Sequence, residues 1–319
     1  MKTTLFSRFV SLAAVLFLVS LTSFMLIELL PGDPSTALVP PGTSAEVTKR
    51  VRQELGLDQG PAARYVHWVG RVGHGDLGRT FNNGEPVARV LGRALTVTIE
   101  LMALTQLFAL VLGVVVGAVT AHRAGGRLDR VVQAATFAVL AVPQFAVALV
   151  LLLVFAVHLH WFPAVGFVHL SDDPVGNLRS LVLPTITLGL PVAAIYARMV
   201  RTEMVATLTA DHIVLARGLG IPERRIVLNH ALRQSLSSLL AVFAIETGRL
   251  LGGALIVETI FALPGMGRLL ITSVGKREYL LVQGGVLVVG AGFVIANFAV
   301  DIARSRLDPR IRFEGPVIP

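Results

Sequence analysis

The sequence predicts an all-α membrane protein of six transmembrane helices, with an extracytoplasmic insert after the first. Three observations carry that prediction. Hydrophobic residues make up 54% of the 319 positions, only 15% are charged, and the apolar residues gather into long runs. A soluble domain carries about 25% charged residues, and the mean hydropathy here is +0.73. The formal charge of +8 is read as the arginine and lysine excess of cytoplasmic loops. Nucleic-acid binding is set aside, because no basic, aromatic-interleaved soluble segment exists to carry it. The absence of cysteine excludes thiol catalysis, disulfides and thiolate-held metals.

The first expected span, residues 9–30, is about 33 Å long as a helix, enough for a hydrocarbon core of about 30 Å. Lys2 and Arg8 precede it as they would a signal peptide. Its apolar run exceeds a signal h-region and no small-x-small site precedes Pro31, so a retained anchor is expected. Further spans are expected at residues 96–121, 131–157, 181–200, 239–257 and 282–302.

Charge orients the spans. Arg123, Arg127 and Arg130 fall in one set of connections, with the arginines from Arg198 to Arg233 and Arg304, Arg306, Arg310 and Arg312. The opposite connections hold Arg179, and then Arg268, Lys276 and Arg277. The positive-inside rule therefore expects both termini in the cytoplasm of a prokaryotic cell. The domain reading follows: residues 1–30 as tip and first helix, 31–93 outside, 94–303 as a five-helix core, and 304–319 as a cytoplasmic tail.

Within the outer segment, residues 45–57 and 65–72 have the apolar spacing of short amphipathic helices. Pro31 to Pro34 (PGDP) and Gly73 to Gly78 (GHGDLG) are turn chemistry. Gly113 with Gly117, and Gly248 with Gly252, are small-x-x-x-small pairs that suit close helix packing. Pro143, Pro184 and Pro191 interrupt apolar runs, where they free carbonyls and bend helices. His158 and His160 flank Leu159 at a span end and are placed at the membrane interface rather than on a metal.

Residues 210–236, ADHIVLARGLGIPERRIVLNHALRQSL, are a polar helical insert between two apolar runs, on the cytoplasmic side by charge. Thr209 or Asp211 is expected to cap a short helix, and Gly220 to end it in a left-handed conformation. Pro222 then opens a second helix with Glu223 in its first turn. Ile213, Ala216 and Gly220 make one small apolar face, which Ile226, His230 and Arg233 continue. With no lipid to cover it, that face is expected to dock on another protein; an amphipathic helix on the membrane surface is the alternative.

This stretch resembles the coupling loop of ABC importer permeases, in the form used for peptide and nickel uptake. That family writes roughly D-Y-I-R-T-A-R-A-K-G-L and then H-A-L-R-N. Here stand Asp211, Ile213, Ala216, Arg217 and Gly220, followed by His230, Ala231, Leu232 and Arg233. His212, Val214, Leu215 and Leu219 depart from the pattern, and the proline expected soon after H-A-L-R is missing. PGDP, Glu54 to Asp58 (ELGLD), His74 to Gly78, the run from Glu258 to Gly267, Val282 to Gly285 (VQGG) and Asp308 to Arg312 (DPRIR) follow in family order.

The resemblance implies a type I ABC importer permease fold of the dipeptide and oligopeptide class, with a coupling loop at 201–236. It implies no bond chemistry in this chain, which has no G-x-x-x-x-G-K-[ST] loop; ATP and Mg would be used by two separate ATPase subunits. A second homologous permease, an extracytoplasmic solute-binding protein and membrane lipids complete the implied partners, with no nucleic acid. Family cargo extends to peptides, nickel complexes, glutathione and haem-like molecules.

Glu246 and Arg249 lie three apart within an apolar run, on one helical face. A charge inside lipid costs at least ~2.5–3.5 kcal/mol. The two are expected to pair and face the bundle interior, as a structural pair or as part of the pathway. A secondary transporter is disfavoured by the absence of a visible repeat, and an intramembrane enzyme by the absence of paired catalytic groups.

Overall fold

The computed structural model describes residues 13–25, 59–81 and 83–307. The PGDP, ELGLD and DPRIR motifs, the helix expected at 45–57, and both termini lie outside the described residues. The described chain is helical: α1 (Ala13–Met25), α2 (Pro61–Gly73), α3 (Val87–His122), α4 (Arg127–Ala141), α5 (Gln144–His158), α6 (Pro174–Leu208), α7 (Asp211–Gly218), α8 (Glu223–Ile260), α9 (Met266–Gly275) and α10 (Tyr279–Leu307). Its only strand-like pairing among the described residues is an isolated bridge between Arg79 and Pro86.

Four helices, α3, α6, α8 and α10 as far as Ala296, are long and apolar enough to cross a membrane. The expected third span is not one straight rod. It is the pair α4 and α5, bent by 100°. Pro143 has no amide to donate and pushes Val142 into extended geometry (ψ 128°), so the helix stops and restarts in a new direction. The first expected span is represented by α1, a shorter apolar helix whose flanks are not described.

The chain divides into two compact units, Met1–Thr96 with Gly265–Val294, and Val97–Pro264 with Ile295–Pro319. In the first, Tyr65 of α2 shares a 2.8 Å hydrogen bond with Ser20 of α1 and packs edge-on to Phe24. Trp68 is buried beside them. Gly75 and Gly78 have φ near +80°, as the tight turn after α2 requires. Val87, Leu91, Met266 and Leu281 form a second small core.

In the larger unit, α6 is the central helix. Asp173 caps it by accepting the Val175 amide at 3.0 Å, and Pro174 occupies the first turn. Its Leu181, Leu188, Tyr196, Val200 and Met204 are buried. Gly113 and Gly117 of α3 lie directly against it: a Cβ on Gly117 would stand 2.6 Å from the Ala197 carbonyl oxygen. Only glycine permits that approach. At Gly252, by contrast, nothing lies within 4 Å of a Cβ, so the Gly248 and Gly252 pair does not mark an equivalent close approach at that residue.

Candidate coupling loop and intramembrane ion pair

The polar insert folds as a helix, a corner and a second helix, although its start differs from expectation. Ala210 is the extended N-cap of α7 and supplies no side-chain cap. Thr209 turns back instead, donating to the carbonyls of Val205 and Ala206 at the end of α6. Asp211 occupies the first turn of α7, where a carboxylate favours the positive helix end. Gly220 takes φ +77°, and the Ile221 amide reaches back to the Ala216 carbonyl at 3.1 Å, closing the corner. Pro222 stands as the extended N-cap before Glu223.

Arg217 clamps this corner with three hydrogen bonds to two partners. Its Nη2 and Nε donate to the two carboxylate oxygens of Glu223 at 2.9 and 3.1 Å, and Nη1 donates to the Leu208 carbonyl at 3.2 Å. One guanidinium thereby ties α7 to the end of α6 and the start of α8. The Glu223 carboxylate raises the Arg217 pKa, and the guanidinium in turn lowers that of Glu223, so each partner favours the charged form of the other. Both side chains are substantially exposed, so the clamp sets geometry more than it adds stability.

The face expected to dock outward is turned inward. Ile213 is fully buried in this chain's own core, and Ala216 packs partly buried against the same cluster. The side of α7 left exposed carries Val214, Leu215 and Leu219, at 59%, 65% and 73% relative exposure. Those are the positions at which the family pattern is polar. His212, Arg224 and Arg225 are exposed as well.

The second helix also departs from simple periodicity. Residues Ile226–Leu232 form a π-helical turn, and the buried side chains are Ile226 and Ala231, five apart. His230 and Arg233 are accordingly exposed rather than sharing the face of Ile226.

Glu246 and Arg249 do pair, Nη1 donating to Oε1 at 3.1 Å. They are not equivalent: the Glu246 side chain is 7% exposed and that of Arg249 69%. The carboxylate belongs to the bundle and the guanidinium points away from it. This corrects the expectation that both face the interior.

Three further polar fixings escape a reading of the sequence. Asp129 accepts two bonds from Arg201, at 2.6 and 2.7 Å, and a third from the Gly125 amide at 2.8 Å. Tyr196 donates to Gln106 at 2.7 Å, and Gln106 donates to Thr247 at 2.7 Å, joining α3, α6 and α8. Thr98 donates to the buried Glu258 at 2.6 Å. The signal for the second was a glutamine and a tyrosine inside apolar runs, and for the third an acid at the end of one.

The described residues define a helical membrane protein, an apolar bundle with a clamped helical corner between two of its long apolar helices. The chain belongs to the family described as binding-protein-dependent transport system inner membrane component, which matches residues 113–313. The N-terminal component of the same kind of protein matches residues 1–102. It is therefore an inner-membrane permease of a binding-protein-dependent importer, a family whose members work with ATPase and binding-protein partners. A Brucella abortus protein named as the permease of a peptide transport system is 37% identical over 98% of this chain and all of its own length. The Escherichia coli K12 glutathione transport system permease GsiC is 33% identical over 96% of this chain and 98% of its own. Among solved structures, a chain of the inward-facing MetNI methionine ABC transporter matches with TM-score 0.57 at 19% identity, over 69% of this chain and 96% of that one. That likeness establishes the type I permease fold.

Proposed function

We propose that this chain is one of two permease subunits of an ATP-driven importer for di- or oligopeptides, forming half of the translocation pathway without catalysing bond chemistry. A second, homologous permease supplies the other half, lipid surrounds the pair, and an extracytoplasmic solute-binding protein delivers cargo. Two ATPase subunits on the cytoplasmic side hold ATP and Mg. Both termini are cytoplasmic, residues 31–93 lie outside, and residues 201–236 receive the ATPase stroke. The relatives' names support the cargo class, glutathione being itself a tripeptide.

The observation that carries the coupling role is the Arg217 clamp, which fixes α7 to the ends of α6 and α8 together. A push on a helix held that way moves two spans rather than one loop. Asp211, Ile213, Ala216, Arg217, Gly220, His230 and Arg233 take different parts in this. Ile213 and Ala216 seat the helix, Arg217 and Gly220 set its corner, Asp211 favours its start, and His230 and Arg233 are exposed beside it. The apolar side of Val214, Leu215 and Leu219 meets the ATPase.

The chain has no cysteine, so single cysteines test this cleanly. Cysteine at Leu215 or Leu219, carrying a benzophenone maleimide, should photo-crosslink to an ATPase subunit in the assembled complex. The same label at Asp76 should not. Crosslinks from Asp76 and none from α7 would reverse the assignment.

A further inference from the structure

Arg249 sits where a cation is costly. It lies within the apolar run 239–257, about 12 Å along the helix from one end and about 15 Å from the other. That is farther than an arginine side chain snorkels. Its side chain is nevertheless 69% exposed. Ile245, Arg249, Gly252, Ile256 and Thr259 recur at spacings of four and three, so they form one exposed stripe along α8. The opposite stripe, Glu246, Leu250, Ala254 and Val257, is buried.

The ion pair is one-sided. Glu246 holds Arg249 through Nη1 alone, and among the described residues the guanidinium makes no other hydrogen bond. The rest of the side chain is exposed, and at Gly252, three residues on along the same stripe, nothing lies within 4 Å of a Cβ. A fixed guanidinium with open space beside it suits a planar carboxylate, which it can receive through two parallel bonds. Its own buried counter-ion keeps the site near neutrality when empty, so an arriving anion is attracted and can still leave.

We propose that Arg249 is an anion-binding contact in the translocation pathway, receiving the carboxylate of a peptide-like solute in transit, with Glu246 as the residue that positions it. This rests on the reading of the chain as half of a pathway, and it adds a binding residue and the chemical class of its ligand.

The test uses the complete transporter in proteoliposomes, with Gly252→Cys or Ile245→Cys as the only permease cysteine. The probes are two methanethiosulfonates of similar size, the anionic sulfonatoethyl and the cationic trimethylammonioethyl reagent, each normalised to its rate with a free thiol. Both should react, and the anionic reagent should be favoured. An unpaired unit charge about 6 Å away across water separates reagents of opposite sign by about tenfold; with Glu246 partly offsetting Arg249 the expected preference is about two- to threefold. Adding Arg249→Gln should remove that preference, Arg249→Lys should keep it, and Glu246→Gln should increase it. An unchanged ratio in Arg249→Gln overturns the proposal. So does reaction only with a membrane-permeant maleimide, which marks a lipid face, or with no reagent at all, which marks a protein contact. Stimulated ATP hydrolysis measured on the same vesicles keeps the outcomes apart, since its absence would count against the importer reading itself.

Discussion

Gly220 stands at φ +77° with no atom within 4 Å of where a Cβ would be. A side chain there is therefore opposed by backbone strain and not by a clash, at a cost of roughly 1–3 kcal/mol. Gly220→Val should leave the spans inserted while distorting the corner that aims α7. The expected result is normal membrane abundance with uptake and substrate-stimulated ATP hydrolysis both sharply reduced; unaltered stimulation would remove Gly220 from the mechanism. For the ion pair, removing Arg249 leaves the buried Glu246 carboxylate uncompensated, so Arg249→Gln should lower the abundance of the assembled complex more than the double Glu246→Gln, Arg249→Gln change. Additive losses across the cycle would argue against coupling. The pairing of these two was legible from their spacing of three. Which of them faces the bundle was not, because helical spacing places both on one face and only the packing of neighbouring helices separates them.

At the scale of elements, α7 is held by Ile213, which is fully buried, and is exposed through Val214, Leu215 and Leu219. The corner itself was readable from Gly220 and Pro222, whose backbone preferences act locally. Which side of α7 stays exposed was not, since the small apolar residues that suggest a contact surface are also what a close intrachain seat requires. The π-helical turn at Ile226–Leu232 likewise shifts the buried positions by one residue, beyond what a 3.6-residue period anticipates. Ile213→Ala should then loosen α7 itself, and a protease that cuts near residue 220 should cleave the variant several-fold faster than the parent. Equal rates would mean that Ile213 does not seat the helix. The Asp129 and Arg201 pair makes a second prediction. Arg201 is one-quarter exposed, so Asp129→Asn should destabilise toward the low end of the roughly 3–5 kcal/mol for a broken buried pair. A thermal unfolding midpoint in detergent that does not move would show that the pair contributes nothing.

For the whole molecule, long apolar runs foretold most spans, and the structure lengthens them where polar turns continue the helix. The expected span at 181–200 is the centre of α6, Pro174–Leu208. The break at Pro143 was marked by the proline, but a bend of 100° depends on packing that no single run of residues encodes. Orientation came from arginine placement and is open to direct measurement: an impermeant thiol reagent on intact cells should label cysteine at Asp76 and spare cysteine at Arg217. The central claim is that α7 transmits the ATPase cycle to the spans through its apolar side. Substrate-stimulated ATP hydrolysis and uptake in reconstituted complexes carrying Leu219→Asp test it most directly. Leu219 is 73% exposed, so the change should spare the permease fold while placing a charge in the proposed contact. The account predicts a correctly inserted permease with uptake lost and hydrolysis no longer stimulated by loaded binding protein. Uptake and stimulation at the parent level would contradict it.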